Sequence, residues 1–340
     1  PTLRVGYVCE GGGALGWGHV GRGRALLEEA PEGSALVLGA GYGEIAAWSR
    51  RTGVPLPLRP WEAPDAPFDP RRCGFDVLVV DHYRLDAAWI AEASAALPTF
   101  VVDDWMRGRV AATGLVAPNV GASPADWPGS EVDVWLAGPE YAFLRREVRS
   151  ARGAPVRGRA ERVLVTLGGS DPEGRTAEIV EALVELPWYR GGGALTVVLG
   201  ASYAAPRPWE GWGAARTVRL DVVQQPADFV ARCAAADLVV CGASTTTYEL
   251  AHLGRPFVPV ALVDNQARIT AEWARLGVGD GLAVWNPGWR EALAADVERL
   301  AGDAASRARR SAAASCVVDG RGIFRVLEAC AAAVRRWAGA

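Results

Sequence analysis

The chain has no lysine. All 36 basic residues are arginine, which excludes a phosphate loop of the G-x-x-x-x-G-K-[ST] type, because that loop needs its lysine. A GC-rich genome, a thermophilic host or a demand for bidentate phosphate contacts would each replace lysine by arginine. The genome is the simplest reading. Histidine is almost as scarce, with three residues, His19, His82 and His252. No H-E-x-x-H or close histidine pair occurs, so no metal site is expected. The six cysteines form no C-x-x-C pair and fall in apolar patterns, which reads as buried, reduced thiols of a cytoplasmic protein. A charged leader followed by an apolar stretch is missing, so no signal peptide is expected. No window approaches the roughly 20 apolar residues of a membrane span. With a formal net charge of -3, nothing asks for a nucleic-acid partner.

What is present is a large apolar share. Of 340 residues, 50% are hydrophobic and 22% charged, enough to build two ordinary domains. Short β-branched runs alternate with helical-period stretches. Strands are expected at Leu3–Cys9, Ala35–Leu38, Val77–Val80 and Thr99–Val102. Helices are expected at Val20–Glu29, Glu44–Arg51 and Asp86–Ala96. Residues Arg149–Arg159, with Gly153, Pro155 and Gly158, break the pattern and read as a linker and hinge. A second series follows. Its expected strands are Arg162–Leu167, Leu195–Leu199, Leu238–Cys241 and Phe257–Val260, and its expected helices include Arg175–Glu185, Thr246–Leu253 and a long last one from Gly322. The βαβ order predicts parallel sheets with right-handed crossovers. The expected domains are 1–148 and 161–340, joined by 149–160, with the last helix able to pack back on the first domain.

Six segments carry chemistry. Glu10–Arg22 (EGGGALGWGHVGR) joins a strand to a helix. Its glycines permit close backbone approach, and the helix start offers free N–H groups. It misfits the dinucleotide fingerprint, since Leu38-Gly39-Ala40-Gly41 ends the second strand without an acid. His19 in this turn is a candidate acid/base group. Acidic residues end two further strands, in VVDHYRL (Val79–Leu85) and VVDDW (Val101–Trp105). At carboxyl ends of parallel strands, Asp81, Asp103 and Asp104 are placed to orient His19, position water or contact sugar hydroxyls. Each is also able simply to cap the next helix. Val163–Asp171 (VLVTLGGSD) offers the backbone of Gly168, Gly169 and Ser170 to phosphate, although tight turns want glycine too. In Asp237–Pro256, Ser244, Thr245, Thr246 and Thr247 crowd a helix start, more hydroxyls than capping requires. Glu249, one turn on, suits a ribose diol. Asp264–Gln266 (DNQ) supplies amides for sugar hydroxyls.

In this order the motifs, with GPEYAFLRREV (Gly138–Val148) and VDGRG (Val318–Gly322), resemble the UDP-sugar hydrolases of pseudaminic acid biosynthesis and the related spore-coat polysaccharide proteins. That family is itself similar to GT-B glycosyltransferases, notably the peptidoglycan N-acetylglucosaminyltransferase. The likeness runs from about Val5 to Leu327. It implies two Rossmann-like domains whose parallel sheets face across a cleft that takes a UDP-sugar. His19 would activate water against the anomeric carbon, with Asp81 and Asp103 as its carboxylates. Gly18, Arg22, Tyr83, Asn119, Asn265 and Gln266 would contact substrate. Gly168, Gly169, Ser170, Ser244, Thr245, Thr246, Thr247 and Glu249 would hold the nucleotide. No cofactor and no metal are implied, and a monomer is expected. The chain departs from the family at Gly21 and Gly23, where Met and Cys are usual, and in the strand Thr113–Asn119. These departures fall in the sugar or acceptor region. They keep open a GT-B glycosyltransferase, and a binding protein without catalysis, beside the hydrolase.

Overall fold

Strands that are apolar on both faces belong inside parallel sheets covered on both sides. Val5–Cys9, Val77–Asp81, Leu238–Gly242 and Phe257–Ala261 are such runs, and every residue in them is buried. The structure is a computed structural model and describes residues 3–12, 17–39, 41–61, 73–104, 108–169, 171, 173–217 and 219–339. Two compact units are present, one built from residues up to Arg146 together with those from Gly320 on, the other from Glu147–Asp319.

The first unit begins with β1 (Val5–Cys9), α1 (Gly18–Leu27), β2 (Ala35–Leu38), α2 (Tyr42–Thr52) and β3 (Leu58–Pro60). It continues with β4 (Val77–Asp81), α3 (Ala87–Ala96), β5 (Thr99–Val102), β6 (Ala111–Ala117) and β7 (Glu131–Ala137). A short α4 (Arg146–Ser150) marks the passage to the second unit. There follow β8 (Arg162–Thr166), α5 (Arg175–Val184), α6 (Pro187–Arg190), β9 (Ala194–Leu199), α7 (Ala214–Thr217) and β10 (Leu220–Gln224). Then come α8 (Phe229–Ala235), β11 (Leu238–Gly242), α9 (Thr245–Leu253), β12 (Phe257–Ala261) and α10 (Asp264–Arg275). The second unit ends with β13 (Leu282–Ala283), α11 (Trp289–Gly302) and α12 (Ala304–Ser315). The last helix, α13 (Gly322–Ala338), belongs to the first unit.

The first sheet runs β3-β2-β1-β4-β5-β6-β7 and the second β10-β9-β8-β11-β12-β13. Every strand pair in both is parallel. Each sheet therefore starts in its middle, winds outward one way, then reverses. That is the doubly wound order, and it opens a crevice where the direction switches. The switch points lie between β1 and β4 and between β8 and β11. Both sheets match the expected α/β class of two Rossmann-like domains.

In the first unit, Val20, Ala25 and Leu26 of α1 pack with Ile323, Val326 and Cys330 of α13 over one face of the sheet. Ala93 and Leu97 of the α3 region cover the other with Val8, Leu78 and Val80. One close approach decides how α1 lies. A Cβ on Gly23 would stand 2.4 Å from a Leu36 methyl and 2.7 Å from the Tyr7 ring. Glycine there lets α1 settle against β1 and β2 and gives the Tyr7 ring its place.

The expected linker is tied to the second unit. Gly153 N–H donates to the Leu253 carbonyl at 2.9 Å, Ala154 N–H to that of Ala234 at 2.9 Å, and Ala160 N–H to that of Ala301 at 2.9 Å. Arg255 reaches the Ala154 carbonyl and Arg307 that of Arg157. The segment read as a linker and hinge is thus tied to the second unit by backbone bonds and two arginines.

Candidate functional site

The first site grows from β1 and β4. Cys9 and Asp81 are register partners at the carboxyl ends of these strands. α1 begins at Gly18, two residues earlier than its apolar pattern suggests. His19 therefore lies in the first helical turn, with Arg22 one turn on along the same face. Both are buried, at 4% and 7% exposure, and Asp81 is fully so.

Asp81 is the hub. Its Oδ1 is 2.7 Å from His19 Nδ1 and accepts from Arg22 Nη2 at 2.9 Å. Its Oδ2 accepts from Arg22 Nε at 2.8 Å and from the Tyr7 hydroxyl at 2.6 Å. Burial by itself would raise the Asp81 carboxyl, but the Arg22 guanidinium, His19 and their hydrogen bonds outweigh it and hold the group far below the usual carboxylate range. Burial, helped by the Asp81 charge, drives the Tyr7 phenol well above its ordinary value, so Tyr7 donates as a neutral hydroxyl. An ionised oxygen at 2.7 Å assigns the proton to His19 Nδ1. The 3.0 Å approach of Arg22 Nη2 to Nδ1 is then two donors converging on one oxygen. Nε2 is left as the acceptor, and it makes no hydrogen bond among the described residues.

A second layer surrounds this hub. Arg22 Nη1 donates to Asp104 Oδ2 at 2.9 Å, and the Tyr83 hydroxyl donates to Asp104 Oδ1 at 2.8 Å. The Tyr83 ring meets the His19 ring edge-on, with centroids 4.4 Å apart. Asn119 Nδ2 donates to the Asp104 carbonyl at 2.8 Å. Glu10, only 1% exposed, accepts from Tyr83 N at 3.0 Å and Arg84 Nε at 2.5 Å. Asp103 goes elsewhere: its Oδ2 accepts from Trp127 Nε1 at 2.7 Å. Of the two expected carboxylates, the structure brings Asp81 to His19 Nδ1. Arg22, expected on substrate, is turned onto Asp81 and Asp104. Among the described residues, nothing stands within 4 Å of a Cβ built on Gly18 or Gly21.

Tyr7 and Glu10 have no part in the site as read from sequence. Glu10 carried a usable signal, a charged residue directly after an apolar strand, which is the rule that singled out Asp81. Tyr7 carried none, because an aromatic inside a strand reads as core.

In the second unit, Gly168 follows β8 with φ +100°, a conformation that favours glycine. The Gly169 carbonyl accepts from Ser202 N–H at 3.0 Å. Ser170 lies outside the described residues. Asp171 caps α5: its oxygens accept from Arg175 N at 2.9 Å and Thr176 N at 2.7 Å. A side-chain carboxylate thus already occupies the N-terminus of α5.

The start of α9 differs. Ser244 precedes it without a side-chain cap. Thr247 folds back, with N–H and hydroxyl 3.0 and 2.8 Å from the Ser244 carbonyl. The amides of Thr245 and Thr246, and the hydroxyls of Ser244, Thr245 and Thr246, make no hydrogen bond among the described residues. Such a helix start is electropositive and rich in donors. Glu249 is buried one turn on, at 7% exposure. Gln266 Oε1 accepts from Leu262 N–H at 2.9 Å and shapes the loop into α10. Asn265 is half-buried and has no described hydrogen bond. Among the described residues no three His, Cys, Asp or Glu side chains gather to hold a metal, and no helix is long and apolar enough to cross a membrane.

No protein-family model and no curated protein sequence matches the chain. Solved structures do match in fold. MurG of Acinetobacter baumannii aligns over 96% of this chain and 98% of its own, at 15% identity and a TM-score of 0.57. The UDP-GlcNAc 2-epimerase of Neisseria meningitidis, solved with UDP-GlcNAc, aligns over 96% and 99%, at 10% identity and 0.55. The spinosyn rhamnosyltransferase SpnG, solved with thymidine diphosphate, aligns over 96% and 100%, at 15% identity and 0.54. At these identities the likeness shows one thing, a shared two-unit GT-B-like fold along nearly the whole chain.

Proposed function

We propose that the protein is an enzyme that cleaves a UDP-linked amino-deoxy sugar at its anomeric carbon, releasing UDP and the free sugar. The observation that carries this reading is the buried His19–Asp81 contact at the switch point of the first sheet. Asp81 holds the imidazole with Nδ1 protonated and Nε2 basic, the arrangement of an oriented general base. Nε2 takes a proton from water as the water oxygen bonds to the anomeric carbon. The bond from that carbon to the diphosphate oxygen breaks, and its electron pair leaves with UDP. Asp81 stabilises the imidazolium that results. The open amides and hydroxyls at the start of α9 suit the diphosphate and its growing charge, and Glu249 suits the ribose. The fold neighbours support the nucleotide-sugar part of this reading: one was solved with UDP-GlcNAc and one with thymidine diphosphate. The sequence resemblance supports its place in nonulosonic acid or surface-polysaccharide synthesis.

One observation favours a second reading. Among the described residues nothing stands within 4 Å of a Cβ built on Gly18 or Gly21, which suits an acceptor hydroxyl in place of water, the requirement of a glycosyltransferase. The two separate in one assay. UDP-amino-sugars are incubated with the protein and no acceptor, UDP release is measured, and the sugar product is read by NMR. Rapid release of free sugar is expected. Release only after an acceptor is added would establish the transferase, and tight binding with no release under either condition would remove catalysis altogether.

A further inference from the structure

We infer that Asp104 is a positioning residue for His19, acting through Arg22 and Tyr83. Its kinetic consequence rests on the reaction proposed above; its structural consequence does not.

Arg22 is the difficulty that Asp104 resolves. A guanidinium bonded twice to Asp81 competes with the imidazole for the same carboxylate, and low-dielectric surroundings sharpen that competition. Burial works against the charge of Arg22, and Asp81 and Asp104 together keep it strongly favoured. The third donor of Arg22, Nη1, is aimed at Asp104. One buried cation is thereby shared between two carboxylates. With the imidazole neutral, the group of His19, Arg22, Asp81 and Asp104 carries one excess negative charge; with the imidazole protonated it is balanced. Without Asp104, the same proton would leave excess positive charge among the buried side chains of His19, Arg22 and Asp81.

Asp104 also closes a ring of contacts. From His19 the path runs to Asp81, Arg22, Asp104 and the Tyr83 hydroxyl. It returns to His19 through the Tyr83 ring. Arg22 Nη1 and the Tyr83 hydroxyl thus share one carboxylate, which touches neither nitrogen of the imidazole. Among the described residues, Tyr7, Cys9, Glu10, His82 and Arg84 are further charged or titratable groups beside this ring.

The test uses the full chain labelled with 15N in histidine. Three histidines give a simple ring spectrum, and His19→Asn assigns the His19 signals by their loss. In the unsubstituted protein, His19 should show a protonated Nδ1 and a bare Nε2. In Asp104→Asn, those signals should move toward a mixture of tautomers, and Asp104→Glu should restore them in part. In the UDP-release assay, Asp104→Asn should lower kcat about 10–100-fold, the equivalent of one hydrogen bond to a charged group, with KM changed less than about threefold. If Asp104→Asn does not fold, Asp104→Ser is read the same way. His19 signals that stay as in the parent protein would overturn the inference, whatever the activity. Shifted signals with no change in kcat would leave the positioning intact and count against the proposed reaction.

Discussion

His19 Nδ1 stands 2.7 Å from Asp81 Oδ1, across a gap of 62 residues in sequence. The register that pairs Cys9 with Asp81 brings the two together. If that contact orients a general base, His19→Asn should lower kcat for UDP release by about 10²–10⁴-fold while KM stays within a few-fold. Steady-state kinetics with the best UDP-sugar decide the matter. A raised KM at unchanged kcat would reduce His19 to a binding contact.

Asp81→Asn should be costly to the fold as well as to the reaction. It leaves Arg22, 7% exposed, without its main counter-charge, and breaking a buried pair costs about 3–5 kcal/mol. Urea unfolding at neutral pH measures this directly. A loss below about 1 kcal/mol would mean that water already reaches the pair.

The same carboxylate gives stability a pH signature. The Asp81 carboxyl is held far below its ordinary value by Arg22 and His19 against the effect of burial. Its contribution is therefore fully present above the unfolded value of about 4 and is lost as pH falls through the depressed folded value. Urea midpoints should be flat on this account from neutrality to about pH 5, then fall steadily below about pH 4. The fall should be shallower in Asp81→Asn, and equal slopes would show that other acids control it.

Gly21 and Gly23 should respond in opposite ways. A side chain at Gly23 meets Leu36 and Tyr7 at 2.4 and 2.7 Å, so Gly23→Ala should destabilise by about 1–3 kcal/mol through overpacking and disturb the Tyr7 bond to Asp81. Gly21 has open space at that point. Gly21→Ala should gain about 0.5–1 kcal/mol from helix propensity. Thermal melts of both variants test the pair, and equal effects would contradict the packing described.

Glu249→Ala should weaken UDP binding by about 1–3 kcal/mol, the scale of lost hydrogen bonds to a charged acceptor. Calorimetry with UDP alone measures it. Unchanged affinity would move the ribose site away from α9.

Sequence alone determined the two α/β halves and the ends of the strands where chemistry gathers. Both are local properties: apolar runs announce buried strands, and glycine, acid or hydroxyl residues just after them announce the crevice end. Strands with weaker local signals lay outside those runs. β6 is built largely from Ala, Gly and Thr, and Gly114 is there because a Cβ would strike the Phe100 ring at 2.3 Å; β10 and β13 are short or half-buried. The Ala- and Arg-rich α12 likewise draws on tertiary contacts, with Arg307 fully buried. Only the tertiary structure decided which acid serves His19. Asp103 and Asp104 are neighbours in one motif, yet Asp103 bonds to Trp127 and Asp104 to Arg22, because β5 ends at Val102 and the chain bends at Asp104, which sends the two side chains apart. Asp81 reaches His19 because two parallel strands pair in one register, a relation between distant segments that no local pattern encodes.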